Sequence, residues 1–288
     1  MQKFFVTFCL ILISLNTLSC KTDNSLQITE PLKYPVVLVH GIFAHDRGGI
    51  INFWGRIPQV FSDAGIKVFV GNTDAWGSYE SNAEILKATI DRVLEETNSE
   101  KVNIIAHSKG GIDSRYLIWK YNYGDKIASL TTIATPHHGA EIADLVYAQD
   151  VVHTRFAKKV LELYGILYGD VNPDLYTLNQ QLTTEHMREF NENILMDARV
   201  FYQSMYVTMR NPFDDLKYFY SYQYIKKKSG ENDGVVSEIS ANWGDNVRKI
   251  TSGISHAEII DYKMRDISGI NIPEIYMQIA NELSKMGF

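Results

Sequence analysis

"VNIIAHSKGGIDSRYLIW", Val102 to Trp119, decides how the rest of this 288-residue chain is read. An apolar run breaks off into small and polar residues, and a helical pattern begins within a few positions. At the break stand Ser108, Gly110 and Gly111. Ala106-His107-Ser108-Lys109-Gly110 is a G-x-S-x-G pattern with alanine in its first place. Small residues are required there because a strand that turns sharply into a helix brings neighbouring backbone very close, and the strain exposes a serine hydroxyl at the end of the strand. The bland alternative is an ordinary strand-to-helix turn. The motif's position, after an apolar strand and before a helix, favours a nucleophile.

The pattern continues on both sides of this corner. "PVVLV" (35–39), "IKVFV" (66–70), "KVNIIA" (101–106) and "ASLTTIA" (128–134) read as buried strands. Between them, Phe53, Trp54, Ile57, Val60, Phe61 and Ala64 recur at helical spacing, as do Ile85, Leu86, Thr89, Ile90, Val93 and Leu94. Continuous apolar strands alternating with helices predict an α/β fold, a parallel sheet covered on both faces. After Pro136 the regularity fails, and about 142–182 reads as a helical cap inserted in one domain spanning 34–288. "YFYSYQYI" (218–225) reads as a returning strand, and Pro273 opens a last helix with Ile275, Ile279, Leu283 and Met286 inward.

Composition narrows the class. Hydrophobic residues make up 45% and charged residues 22%, which suits a globular body rather than disorder. A net charge of -6 leaves no basic excess, so nucleic acid is not an expected partner. The start is distinct: Lys3, the apolar "FFVTFCLILISL" and "NTLSC" ending at Cys20 form a secretory signal, shorter than the roughly 20 apolar residues of a membrane span. Leu18-Ser19-Cys20 resembles a bacterial lipobox, with Thr17 where leucine is usual. Residues 1–20 are therefore expected to be a lipoprotein-type signal, 21–33 a polar tether, and the protein to be held on the cell envelope through Cys20; a plain cleaved signal and periplasmic or secreted release is the other reading. The remaining cysteine, Cys9, lies inside the signal, so the mature body can form neither a disulfide nor a cysteine–metal cluster.

A serine hydroxyl needs a base, and histidine suits that task near neutral pH. In hydrolases with this elbow the chain order is Ser, then Asp or Glu, then His. Of His137, His138, His153, His186 and His256, His256 alone follows the later strands and precedes the last helix. Upstream, Asp233 sits in the turn-forming "ENDGVV", with Asp245 as the rival acid. "VLVHGIF" puts a turn at the end of the first strand, where the backbone N–H of Ile42 would join that of Lys109 as oxyanion donors. His40 and His107 are read as packing or hydrogen-bonding residues. Within the cap, Val152, Phe156, Val160, Leu163 and Leu167 recur at helical spacing, with Gly165 and Gly169 as hinges, which predicts an amphipathic flap over Ser108 rather than a fixed core helix.

Taken together, "YPVVLVHGIF", "VNIIAHSKGGIDSRY", "IATPHHGAEIADL", "NDGVVS" and Ser255-His256 resemble the bacterial triacylglycerol lipases of the α/β-hydrolase superfamily. The resemblance runs from about residue 34 to the C-terminus and is weakest around 145–175. It implies a triad of Ser108, Asp233 and His256, Ile42 and Lys109 as oxyanion donors, and a lipid ester at a membrane or emulsion interface as substrate for a monomer. No cofactor is required. Such lipases often bind calcium near the histidine loop. Here Glu258 stands near one ligand position, but the segment before Asp233 is too short for the usual aspartate, so no metal is expected. A phospholipase, thioesterase or short-chain carboxylesterase would use the same triad. A non-catalytic surface lipoprotein that keeps the fold is the reading from a different class.

Overall fold

The computed structural model of the chain describes residues 28–42, 53–149 and 169–288. Six strands form the sheet: β1 (Val36–Val39), β2 (Val68–Val70), β3 (Val102–His107), β4 (Ile127–Ile133), β5 (Phe201–Thr208) and β6 (Val247–Ser252). Their order is β2-β1-β3-β4-β5-β6, and every pairing is parallel. All residues of β1, β3 and β4 are buried, as strands covered on both faces must be.

The two-residue period of a strand divides these side chains between two cores. Val36, Leu38 and Ile105 face one side, where they meet α1 (Ile57–Asp63) and the last helix (Ile272–Lys285) through Phe61, Tyr276 and Leu283. Val37, Val39 and Ile104 face the other side and meet α2 (Tyr79–Thr97) and α3 (Lys109–Tyr121) through Leu86, Ile90 and Leu117. Each such large side chain stabilises the fold by roughly 1.5–3 kcal/mol on burial. Ser78 starts α2 by accepting from the N–H of Ser81 at 3.2 Å, and Asn98 ends it in the left-handed conformation.

Three expectations change. Residues 218–225 are not a strand but most of a helix, Phe219–Ser229. Tyr222 and Ile225 are buried three positions apart while Tyr220 and Gln223 are exposed, a helical rhythm hidden by the β-forming aromatics. The returning strand is instead β5, "FYQSMYVT", whose central Gln203 and Ser204 disguise it. Both are buried because the neighbouring chain satisfies them: Gln203 Nε2 donates to Thr131 Oγ1 at 2.7 Å, and Ser204 Oγ to the Trp243 carbonyl at 2.8 Å. In the last helix Tyr276, Met277 and Ala280 join Ile279 and Leu283 inside, whereas Ile275 is half-buried and Met286 lies exposed beyond the helix end.

The end of the expected tether belongs to the folded body. Ile28 and Leu32 pack against the core, Ser284 Oγ donates to the Glu30 carbonyl at 2.7 Å, and the Lys33 N–H to the Phe288 carbonyl at 2.9 Å. The signal, with Cys20, lies outside the described residues, and so does the expected flap helix from Val152 to Leu167. Of the cap, helices Glu141–Tyr147 and Leu175–Gln181 are described, and helix Thr184–Asn193 follows it.

Candidate active site

The strand order reverses between β1 and β3: the chain passes from β1 to β2 on one side and returns to place β3 on the other. A crevice opens at the carboxyl ends of two such strands. Ile42 lies just past the end of β1, and Ser108 just past the end of β3.

Ser108 has φ 54° and ψ -131°, a conformation that costs a non-glycine residue about 1–3 kcal/mol. It is over-determined by its neighbours: its N–H donates to the Ile133 carbonyl at 2.9 Å, and its own carbonyl accepts from Thr135 Oγ1 at 2.8 Å. Two glycines make room for it. A Cβ on Gly110 would press on the carbonyl oxygens of Val39 and His40, and one on Gly41 would lie 2.8 Å from the Ser108 Cβ. The first approach is against backbone, and the second is against the nucleophile's own Cβ, so neither place has room for a side chain.

The hydroxyl meets residues far away in sequence. His256 Nε2 is 3.0 Å from Ser108 Oγ, and His256 Nδ1 is 2.7 Å from Asp233 Oδ2. The other carboxylate oxygen of Asp233 accepts the N–H groups of Val235 (2.9 Å) and Val236 (2.8 Å), so the turn itself aims the acid. The His256 N–H donates to the Asp233 carbonyl at 2.9 Å, tying the two loops together. Asp245 is exposed in the turn before β6 and makes no hydrogen bond to the histidine. Ser108, Asp233 and His256 are all buried.

The two expected oxyanion donors flank this group. Lys109 is the first residue of α3, where an N–H has no intrahelical acceptor and the helix dipole is positive. Neither its N–H nor that of Ile42 is taken up by an acceptor among the described residues. The Lys109 side chain is directed away and paired, its Nζ 2.8 and 2.7 Å from the Asp113 carboxylate oxygens in a fully buried ion pair. Burial pushes the Asp113 carboxyl up against the pull of that ammonium, and Asn82 Nδ2 adds a hydrogen bond at 2.8 Å.

His107 and His40 have the supporting places expected of them. His107 Nε2 donates to the His256 carbonyl at 3.0 Å, with the two rings 4.6 Å apart. Burial, reinforced by His256, holds the His107 imidazole well below its usual pKa, so it stays neutral. His40 lies 2.6 Å from the Gly41 carbonyl and 2.9 Å from that of Thr73, bracing the turn after β1.

A further network supports the histidine loop and left no local mark in the sequence. Asp215 Oδ2 accepts from Ser255 Oγ at 2.7 Å, while Glu258 accepts the Ser255 N–H at 2.8 Å and pairs with Lys263 Nζ at 2.5 Å. Ser255, Glu258 and Lys263 are near one another in sequence, but Asp215 is forty positions away and only folding brings it in. The network also bears on calcium, because the Lys263 ammonium already occupies the charge that Glu258 would offer a cation. Among the described residues no three His, Cys, Asp or Glu side chains group as metal ligands. The donor set among the described residues does not fit the ion.

One cavity adjoins the serine, and a second shares two wall residues with it. The first, of about 220 Å³, is lined by Ser108 and His256 together with Phe53, Ile260 and Tyr262. The other, of about 390 Å³, is an apolar trough between helices Glu141–Tyr147 and Leu175–Gln181, walled by Trp76, Ile142, Val146 and Leu178. Ile42 and Val235 line both.

A parallel sheet with a strained serine after its third strand, and a hydrogen-bonded Ser–His–Asp arrangement at the strand ends, is the arrangement of the α/β-hydrolase fold. More narrowly, the chain belongs to the palmitoyl protein thioesterase family, which it matches over residues 35–195. It is 33% identical over 175 residues to a triacylglycerol lipase of Pseudarthrobacter phenanthrenivorans, a match covering 56% of this chain and 54% of that one, so it spans about half that relative's length. To a triacylglycerol lipase of Pseudomonas fragi it is 26% identical over 292 aligned residues, covering 88% of this chain and 97% of the other. The fold is similar to that of the Staphylococcus hyicus lipase, with a TM-score of 0.69 at 17% identity over 90% of this chain and 98% of that one.

Proposed function

We propose that this protein is a serine hydrolase that cleaves carboxylic esters of lipids through an acyl-enzyme. The observation that carries the reading is the unbroken hydrogen-bonded path from Ser108 Oγ through His256 to Asp233, 3.0 and 2.7 Å long, beside an apolar trough. Ser108 Oγ attacks the acyl carbonyl as its proton passes to His256 Nε2. The N–H groups of Ile42 and Lys109 receive the oxyanion; a donor so placed is typically worth roughly 2.7–4 kcal/mol in the transition state. Collapse of the tetrahedral intermediate breaks the bond to the leaving oxygen, which takes the proton from His256. A water then gives its proton to His256, attacks the acyl group, and releases the acid as the proton returns to Ser108. Asp233 stabilises the imidazolium in both halves.

The family match to palmitoyl protein thioesterases makes a thioester the second substrate class, since the same relay cleaves either bond. A series of p-nitrophenyl esters from acetate to palmitate, run beside palmitoyl thioesters, tests both. Turnover is expected to rise with acyl length as the trough fills, with oxygen esters preferred. Thioester turnover exceeding ester turnover shifts the substrate class, and no turnover of any of them, with no labelling of Ser108 by a fluorophosphonate, defeats the hydrolase reading.

The enzyme acts on this reading at a membrane or emulsion surface, held to the envelope through Cys20. Support comes from the apolar signal core and the Leu18-Ser19-Cys20 context. Cells fed labelled palmitate should incorporate it into the wild-type chain and not into Cys20→Ala. A mature N-terminus elsewhere, free of lipid mass, removes the anchor.

A further inference from the structure

The 220 Å³ cavity beside Ser108 carries a charge that the relay does not use. Lys217 lines it, among aromatic and aliphatic side chains. Its ammonium stands 4.8 Å from the centroid of the Tyr218 ring and 5.7 Å from that of Tyr262. No hydrogen bond or ion pair to Lys217 Nζ exists among the described residues, whereas the two other lysines near the serine are matched, Lys109 with Asp113 and Lys263 with Glu258. The nearby Asp215 carboxylate is engaged elsewhere, accepting Ser255 Oγ and the backbone N–H of Lys217 itself. Those two bonds also fix the lysine's segment to the loop that carries His256. Lys217 is exposed to solvent at the mouth of the cavity; partial desolvation there, with Lys263 nearby, holds its ammonium below its usual pKa against the pull of Asp215 and Glu258. Aromatic faces compensate it in part. An anion would do so fully.

The chemistry of the relay says which part of a substrate reaches this lysine. His256 returns its proton to the leaving oxygen, so the leaving alcohol must lie on the histidine side of Ser108. That side is walled by Ala257, Ile260 and Tyr262, with Lys217 and Tyr218. The acyl chain has the apolar trough past Ile42 and Val235. From this division we infer that Lys217 selects esters whose alcohol portion bears a phosphate, an acylated glycerol phosphate being the simplest. The inference rests on the ester-hydrolase reading and adds to it a specificity residue.

The test compares 1-oleoylglycerol 3-phosphate with 1-oleoylglycerol, each at the same mole fraction in neutral detergent micelles. The wild type is expected to favour the phosphate ester at least tenfold in kcat/KM. Lys217→Met should lower that ratio tenfold or more, and Lys217→Arg should keep most of it, since a charge-assisted contact to phosphate survives that exchange. A wild-type ratio near one, or a ratio that Lys217→Met does not move, overturns the proposal while neutral-ester turnover leaves the hydrolase reading standing. Absence of turnover of both esters by the wild type, with Ser108 unlabelled by a fluorophosphonate, overturns both together.

Discussion

Ser108→Ala should lower kcat for ester hydrolysis by roughly 10⁶-fold, His256→Ala should do the same, and the double variant should be hardly worse than either. The non-additivity follows from the geometry. Without the imidazole 3.0 Å away, the hydroxyl has no proton acceptor; without the hydroxyl, the imidazole has nothing to activate. What survives is the oxyanion pair and binding, which alone give about 10³–10⁴-fold over water. The fold should persist, because the serine side chain bonds to nothing but His256, and the strained turn is held by Ile133 and Thr135 through backbone atoms that alanine retains. Circular dichroism and thermal unfolding verify folding, and single-turnover assays with p-nitrophenyl butyrate measure the loss. His256→Ala protein that keeps more than a hundredth of wild-type kcat would remove His256 from the role of base.

Why the serine was legible from sequence and its supports were not has a physical basis. The elbow is a local object. Its residues are contiguous, and glycine at 110 is demanded by two carbonyls pressed against it, so steric necessity is written in the sequence. The parallel strands β1, β3 and β4 were legible for a similar reason, since burial on both faces forces continuous apolar runs. Strand β5 was not, because Gln203 and Ser204 are buried polar residues whose partners lie on other segments. Nor was β6, an edge strand that is only half-buried and spells "VRKITS". The helix at 219–229 misled in the opposite direction, its aromatics having a strand-like composition but a helical burial rhythm. Asp215 follows the same rule: its bond to Ser255 joins segments forty positions apart, which leaves no spacing to read.

The acid has a sharper test than the base, because sequence offered two aspartates. Asp233→Asn should reduce kcat by about 10⁴-fold with the fold intact, whereas Asp245→Asn should stay within twofold of wild type. The first effect depends on how an amide must settle in that turn. One carboxylate oxygen of Asp233 accepts the N–H groups of Val235 and Val236, so this position requires an acceptor. Asparagine will place its carbonyl oxygen there and turn its NH₂ toward His256 Nδ1, the atom that now faces Asp233 Oδ2 at 2.7 Å. Two donors cannot share that contact. The imidazole must therefore give up the proton on Nδ1 and carry it on Nε2, where it faces Ser108 Oγ as a donor instead of an acceptor. The nucleophile then loses its base although no heavy atom has moved. Nitrogen-15 spectra of the histidine ring should report the exchange of tautomers directly, and KM should change far less than kcat. Asp245, exposed in the turn before β6, has no such contact to lose. If Asp245→Asn is the crippled enzyme and Asp233→Asn turns over within tenfold of wild type, the relay ends on a different carboxylate.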